Sequence, residues 1–315
     1  MSSLPCCSIV IRAYNEEKHI GRLLEGIMQQ SEQNFEIILV DSGSTDATVA
    51  IARRYPVQVV HLQPHEFTFG RALNVGIAQA RGEFIVMASA HVYPVYPDWL
   101  TRLLAPFADP QIALTYGKQR GDRRTKFSEH QIFARWFPEQ SNLRQEHPFC
   151  NNANAAIRRA LWVEHPYDET LTGLEDLAWA KWALSQGYLL AYVAEAEIVH
   201  VHEETPRKVF NRYRREAMAF KRLYPEAHFS LWDFGRLFAA NVSSDVYHAA
   251  RQGVLWGNLS SIFWFRLMQF WGTYRGYRMA QSPLTDQLRQ TFYYPRGRRV
   301  ETPVARDGVE PIRYE

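Results

Sequence analysis

The sequence predicts an α/β fold, a mainly parallel sheet covered by helices on both faces, followed by a helical C-terminal extension. Three observations carry this. Over residues 7–91, short β-branched runs alternate with stretches of helical period, the pattern of strands joined by crossover helices. Each run closes in small and polar residues, where ligands of such sheets collect. Beyond about residue 225 the alternation gives way to long apolar helical stretches.

The elements follow in order. Cys7-Ser8-Ile9-Val10-Ile11-Arg12-Ala13 reads as a strand, and Ile20, Leu23, Leu24 and Ile27 then fall on one helical face. Residues 35–40 form the second strand, closed by Asp41-Ser42-Gly43-Ser44-Thr45-Asp46 before a helix over about 47–55. A third strand at 57–62, a helix near 70–80 and a fourth strand at 83–88 complete the alternation and end on Ser89-Ala90-His91. In an open α/β sheet the carboxyl ends of the strands meet, so Asn15, Asp41 and residues 89–91 should converge. Residues 119–147 are polar and aromatic without clear period and read as a loop region. Thr172-Gly173 precedes a helix that starts at Glu175-Asp176 and runs through Trp179, Trp182 and Leu184 to Gly187. After a strand pattern at 189–193, Ile198-Val199-His200-Val201-His202 places two histidines two residues apart, on one face of a strand.

With 315 residues, 46% of them hydrophobic, the chain can bury a large core, divided here into an α/β domain at 1–225 and a helical extension with a basic tail at 226–315. Cys6, Cys7 and Cys150 are an odd set with an adjacent pair, which argues against a disulfide framework and for a reducing cytoplasm. Arg12, Glu16 and Glu17 interrupt the opening apolar run, so no signal peptide is evident. A net charge of +3 does not mark a nucleic-acid binder.

Four ordered segments carry a resemblance: Ile11-Arg12-Ala13-Tyr14-Asn15-Glu16, Val40-Asp41-Ser42-Gly43-Ser44-Thr45-Asp46, Arg71-Ala72-Leu73-Asn74-Val75-Gly76 and Gly173-Leu174-Glu175-Asp176-Leu177-Ala178-Trp179. Over about residues 6–225 the chain resembles glycosyltransferase family 2. The resemblance implies the Rossmann-like GT-A fold, a nucleotide-sugar donor and inversion at the anomeric centre. It implies Asp176 as the general base and Glu175 as its neighbour on the acceptor. Donor contacts are implied at Ala13, Asn15, Asp41, Arg71, Asn74, Ser89, Ala90 and Asn154. Where the family carries Asp-X-Asp for a divalent ion, this chain has Ser89-Ala90-His91. Three readings are open: His91 holds the metal, with His200 or His202; the enzyme works without metal; or the site is inactive. Imidazole suits Mn²⁺ or another transition ion better than Mg²⁺, which prefers oxygen ligands.

The residues support the chemistry on their own terms. Transfer from a nucleoside diphosphate needs a base for the acceptor hydroxyl and compensation for charge on the leaving diphosphate. Asp41 ends a strand before small residues, where its carboxylate can accept from uracil or thymine, favouring UDP or dTDP donors; Asp46 is better placed to cap the next helix. Arg71 is a fixed cation for the diphosphate. Asn15 and Asn154 are amides for the donor or for local turns. The acceptor is a saccharide, free or lipid-linked. A non-catalytic nucleotide-sugar-binding protein is the alternative of a different class.

Residues 255–279 are rich in Trp, Phe and Leu, but Arg266 at their centre argues against a membrane span. Two readings remain: the helix packs on the catalytic domain or in a homodimer, or it lies on an anionic membrane surface beside Arg275, Arg278 and the basic segment 296–299, making the protein peripheral.

Overall fold

The computed structural model describes residues 4–279 and 308–314. The basic segment 296–299 lies outside the described residues. Nine strands form one sheet: β1 (Cys7–Ala13), β2 (Phe35–Asp41), β3 (Val57–His61), β4 (Phe84–Ser89), β5 (Val92–Pro94), β6 (Ile112–Arg120), β7 (Asn142–Gln145), β8 (Asn154–Arg158) and β9 (Leu189–His200). Their order is β3-β2-β1-β4-β8-β6-β9-β5, with β7 also on β9. The first half, β3-β2-β1-β4, is parallel throughout, as the alternating elements require. The second half is mixed, because β8 enters antiparallel to both β4 and β6, while β5 and β7 are short antiparallel additions to β9.

The helices are α1 (Ile20–Met28), α2 (Thr48–Ala52), α3 (Phe69–Ile77), α4 (Trp99–Leu104), α5 (Phe127–Trp136), α6 (Arg159–Glu164), α7 (Glu175–Ser185), α8 (Pro206–Leu223), α9 (Leu231–Arg251) and α10 (Leu255–Arg278). The period of two in each strand divides the apolar side chains between two layers. Ile9, Ile11, Ile37 and Leu39 face α1 and α4, and Val10, Ile38 and Val40 face α3 and α7. Helix α3 lies so close to the sheet that a Cβ at Gly76 would come within 2.6 Å of Val10 and 2.7 Å of Val40.

Two expectations change here. Residues 119–147 are not one loop, since they hold α5 and β7. The period of α5 is blurred because it buries Ser128 and Glu129 beside Phe127 and Phe133, putting polar residues on its inner face. The boundary at 225 separates α8 from helices it packs against: a Cβ at Gly272 or Gly276 of α10 would meet the Phe210 or Arg214 carbonyl of α8 at 2.4 Å. Arg266 of α10 is fully enclosed and forms a two-pronged pair with Asp245 of α9 at 2.8 and 3.0 Å. The apolar stretch of 255–279 is therefore a packed helix, and among the described residues no helix is long and apolar enough to cross a membrane. Trp256, Leu259 and Phe263 still leave one of its faces exposed.

Candidate active site

A cleft of about 820 Å³ opens at the carboxyl ends of β1, β4 and β9. On one wall Asn15 adopts a left-handed backbone (φ 54°) that lets its side-chain oxygen accept from the Thr45 N–H at 2.8 Å, while its own N–H donates to Ser44 at 2.9 Å. This ties the loop after β1 to the loop after β2.

The opposite wall is the start of α7. Leu174, also left-handed (φ 59°), turns the chain so that Glu175 and Asp176 occupy the first turn of the helix. The Arg12 guanidinium donates to Glu175 at 2.9 Å, and the same oxygen lies 3.4 Å from the Asn152 amide. Glu175 is thereby committed to holding Arg12 and is nearly enclosed. Asp176 accepts from the backbone N–H groups of Leu177 at 2.8 Å and Asn152 at 3.1 Å. Burial first, and the adjacent Glu175 charge second, nevertheless push its carboxyl up to about 7. A carboxylate with a pKa near neutrality, fixed by backbone donors and facing a cleft, suits a general base.

Three histidines close the far end. One ring nitrogen of each of His91, His200 and His202 lies within 4.8 Å of one from each of the others. All three Nδ1 atoms are already held: His91 by Glu16 at 2.8 Å, His200 by Gln119 at 2.8 Å and His202 by Glu129 at 2.7 Å. Nε2 is left on each ring, and that of His200 is buried with no partner. Burial, then the neighbouring His202 and His91, keep His200 well below the usual imidazole range and so neutral. Burial would raise Glu129, but the Arg212 charge and His202 override it and hold the carboxyl down to about 2. Fixed tautomers with outward lone pairs are what a metal asks of its ligands. A second acidic group, Glu129 with His202 and Glu204, is already bridged by Arg212 at 2.8 and 2.6 Å.

The cations of the cleft differ from those expected. Arg71 pairs with Glu66 and Glu169, each at 3.2 Å, away from the cleft. Asn74 binds Tyr167, Glu169 and Trp162, joining α3 to the segment before α7. Arg215 lines the cleft instead: its guanidinium stands 4.4 Å above the Phe69 ring, and its Nε is buried without a hydrogen-bond partner.

Four further positions that the resemblance implied as donor contacts sit among protein partners. Asn154 is fully enclosed, with its amide spent on the Lys118 and Ala196 carbonyls and the Trp99 indole, so it fastens β8 to β6, β9 and α4. Ala13 and Ala90 pack into the core. Asp41 is 2% exposed, and its carboxylate accepts from the Gly43 and Ser44 N–H groups and faces His61 at 3.3 Å. Ser89 does line the cleft beside His91. Sequence reasoning did not single out Glu16, Gln119 or Glu129 as histidine partners. Their contacts cross 75, 81 and 73 positions of chain and leave no local motif.

A half-parallel sheet with an acid-bearing helix and a cation-lined cleft at its strand ends is the GT-A architecture of glycosyltransferases. The family described as "Glycosyl transferase family 2" matches residues 8–164, about half of the chain. The O-antigen chain rhamnosyltransferase WbaN of Salmonella anatum is 28% identical over 224 residues, 67% of this chain and 70% of that protein. RfbN of Salmonella typhimurium, also an O-antigen chain rhamnosyltransferase, is 28% identical over 65% of this chain and 69% of its own. Among solved structures, the mannosyltransferase PcManGT of Pyrobaculum calidifontis, in complex with GDP-Man and Mn²⁺, superposes with a TM-score of 0.59 at 19% identity, covering 88% of this chain and 86% of that one. The chain belongs to glycosyltransferase family 2 and is a glycosyltransferase.

Proposed function

We propose that this enzyme inverts the anomeric centre as it moves a sugar from a nucleoside diphosphate to an acceptor hydroxyl in polysaccharide or glycolipid assembly. The observation that carries this reading is the half-buried Asp176, raised to about 7 and facing the same cleft as the three histidines. The acceptor hydroxyl attacks the anomeric carbon while Asp176 takes its proton, and the bond to the diphosphate breaks on the opposite side. Arg215 and Arg12 offset charge on the departing diphosphate. The two O-antigen relatives favour a rhamnosyl or related deoxyhexosyl donor carried on dTDP or UDP.

His91, His200 and His202 fit a divalent transition ion, because an orphaned buried Nε2 and three oxygen-held Nδ1 atoms make a set of imidazole nitrogen donors. Such an ion would supply positive charge to the diphosphate. Mg²⁺ fits this set less well than Mn²⁺. Turnover should fall with chelator and return better with Mn²⁺ than with Mg²⁺, and His91→Ala should erase that difference; full turnover in excess chelator would make the enzyme metal-independent. A screen of UDP, dTDP and GDP sugars, with the product's anomeric configuration read by NMR, tests donor and stereochemistry together. Retention of configuration would remove the single-displacement role of Asp176.

The exposed Trp256, Leu259 and Phe263, with Tyr247 and Arg251 nearby on α9, support a peripheral position on the cytoplasmic face of a membrane. Co-sedimentation with anionic vesicles, weakened by salt, checks this, and a dimer that buries the same face is the competing result.

A further inference from the structure

Two guanidinium groups of the cleft stand over one aromatic ring. Phe69, the first residue of α3, has the Arg12 Cζ 5.0 Å and the Arg215 Cζ 4.4 Å from its centroid. Arg12 comes from the end of β1 and Arg215 from the middle of α8, and all three residues line the cleft. The ring is itself fixed. Thr68 caps α3 by accepting from the Arg71 N–H at 3.0 Å, and Gly70 lies so close to the segment before α7 that a Cβ there would come within 2.5 Å of the Asp168 carbonyl. Phe67 meets the Phe69 ring edge-on, with centroids 5.2 Å apart.

How a cation is held decides what it can still do. Arg71 is held by two carboxylates, which engage its donors and oppose its charge. An aromatic face attracts a guanidinium through its quadrupole and takes up none of its N–H groups. Arg215 is held in this second way. Its Nε is buried without a hydrogen-bond partner, and burial lowers its pKa from the usual guanidinium range against the opposing influence of Glu216 and Glu175. Arg12 combines the two modes, since it also donates to Glu175 at 2.9 Å and to the Phe69 carbonyl at 3.3 Å. Two cations gathered at one ring repel each other, and Glu175 pairs with only one of them. A ligand with more than one negative charge completes this arrangement, whereas a neutral sugar or base does not.

We propose that Phe69 is a positioning residue for the transfer, which holds Arg215, and with it Arg12, in place to bind the diphosphate of the donor. The inference rests on the reading that these arginines face the departing diphosphate. Phe69 touches no reacting atom and acts through the two guanidinium groups. Because the ring takes no hydrogen-bond donor from Arg215, the whole donor fork stays available to the phosphate oxygens.

Calorimetry on the full chain in Mn²⁺ buffer tests this, with whichever of UDP, dTDP and GDP binds most tightly, with inorganic pyrophosphate, and with the matching nucleoside followed by saturation-transfer NMR. Phe69→Leu keeps apolar bulk but removes the quadrupole, so it should weaken the nucleoside diphosphate and pyrophosphate by roughly 5–30-fold and leave the nucleoside within twofold. Phe69→Tyr, which keeps the aromatic face, should bind like the wild type. In an Arg215→Ala background most of the Phe69→Leu effect should vanish, because the ring then acts on one cation fewer. Unchanged diphosphate affinity in folded Phe69→Leu, an equal loss for the nucleoside, or full additivity with Arg215→Ala overturns the role of the ring. A loss for pyrophosphate with none for the nucleoside diphosphate would assign the ring to a diphosphate other than the donor's, such as one on a lipid-linked acceptor, and also overturns it. Binding of none of the three nucleotides by the wild type, or undiminished binding by Arg215→Ala, would strike the parent reading of the cations instead.

Discussion

Helices α3 and α7 both begin beside the sheet's carboxyl edge and both carry family-like polar residues in their first two turns, yet they use them differently. On α3, Arg71 and Asn74 find protein partners: two carboxylates for the arginine, and a backbone segment, an acid and an indole for the amide. On α7, Asp176 is fixed by backbone N–H groups but carries a charge that burial and Glu175 disfavour. Beside it the side chains of Arg215 and Glu216 have no hydrogen bond or ion pair, and His200 Nε2 no partner, among the described residues. A polar group whose capacity is met holds the fold together. One whose capacity is unmet, held at a structural cost, marks where a substrate is to complete it.

The sharpest break of this contrast is at Asp176. Asp176→Asn should lower kcat by ~10²–10⁴-fold with little change in donor affinity, because only the proton transfer is lost. In the wild type, kcat/KM should climb with pH through about 7 as the carboxylate forms, and the variant should lack that limb. Stability should run the other way. A carboxyl whose folded pKa is raised contributes stability that is complete below its unfolded value and is lost as pH rises through about 7, so the variant should melt above the wild type in alkaline buffer. A variant with near-normal turnover would remove Asp176 from the chemistry.

A smaller effect tests the histidine clamps. Glu16→Ala frees the His91 Nδ1 and should weaken Mn²⁺ binding by ~10–100-fold while the fold stays intact. Unaltered Mn²⁺ titrations would mean that the imidazoles are held for packing alone.

Asn154→Ala belongs to the satisfied class. It should cost about 1–3 kcal/mol of stability, since it strands the Trp99 indole and two carbonyls, and leave nucleotide affinity where it was. Denaturant melts beside calorimetry separate the two. The gentlest test compares the arginines. Arg215→Ala should weaken UDP or dTDP binding by ~10-fold or more, whereas Arg71→Ala, which breaks two half-exposed surface pairs, should change it less than twofold. A reversal of that order would restore Arg71 to the diphosphate.

The parallel half of the fold was legible because each element there declares itself locally, as in the alternation Ile9-Val10-Ile11 and the helical face Ile20-Leu23-Leu24-Ile27. Helix α5 was not legible, because its inner face buries Glu129 against Arg212 and His202, and a buried ion pair reads as surface in one dimension. For the site, the spacing of His200 and His202 foretold rings on one side, and their centroids stand 4.1 Å apart. The motif at Arg71 and Asn74 identified a helix near the site but not which atoms were free. That depends on Glu169 and Trp162, 98 and 88 positions away. Partnering across such distances has no periodic signature.

Leu174 has a bearing on how readily this enzyme could adapt to heat. A leucine in the left-handed region costs roughly 1–2 kcal/mol, which a glycine would avoid, yet its side chain packs against the Leu177, Phe220 and Phe270 cluster under α7. Exchange for glycine would therefore relieve the backbone and loosen the platform from which Glu175 and Asp176 project. Lineages moving to hotter surroundings would meet opposing pressures at this one residue, and relief of its torsion would come with a less rigid base.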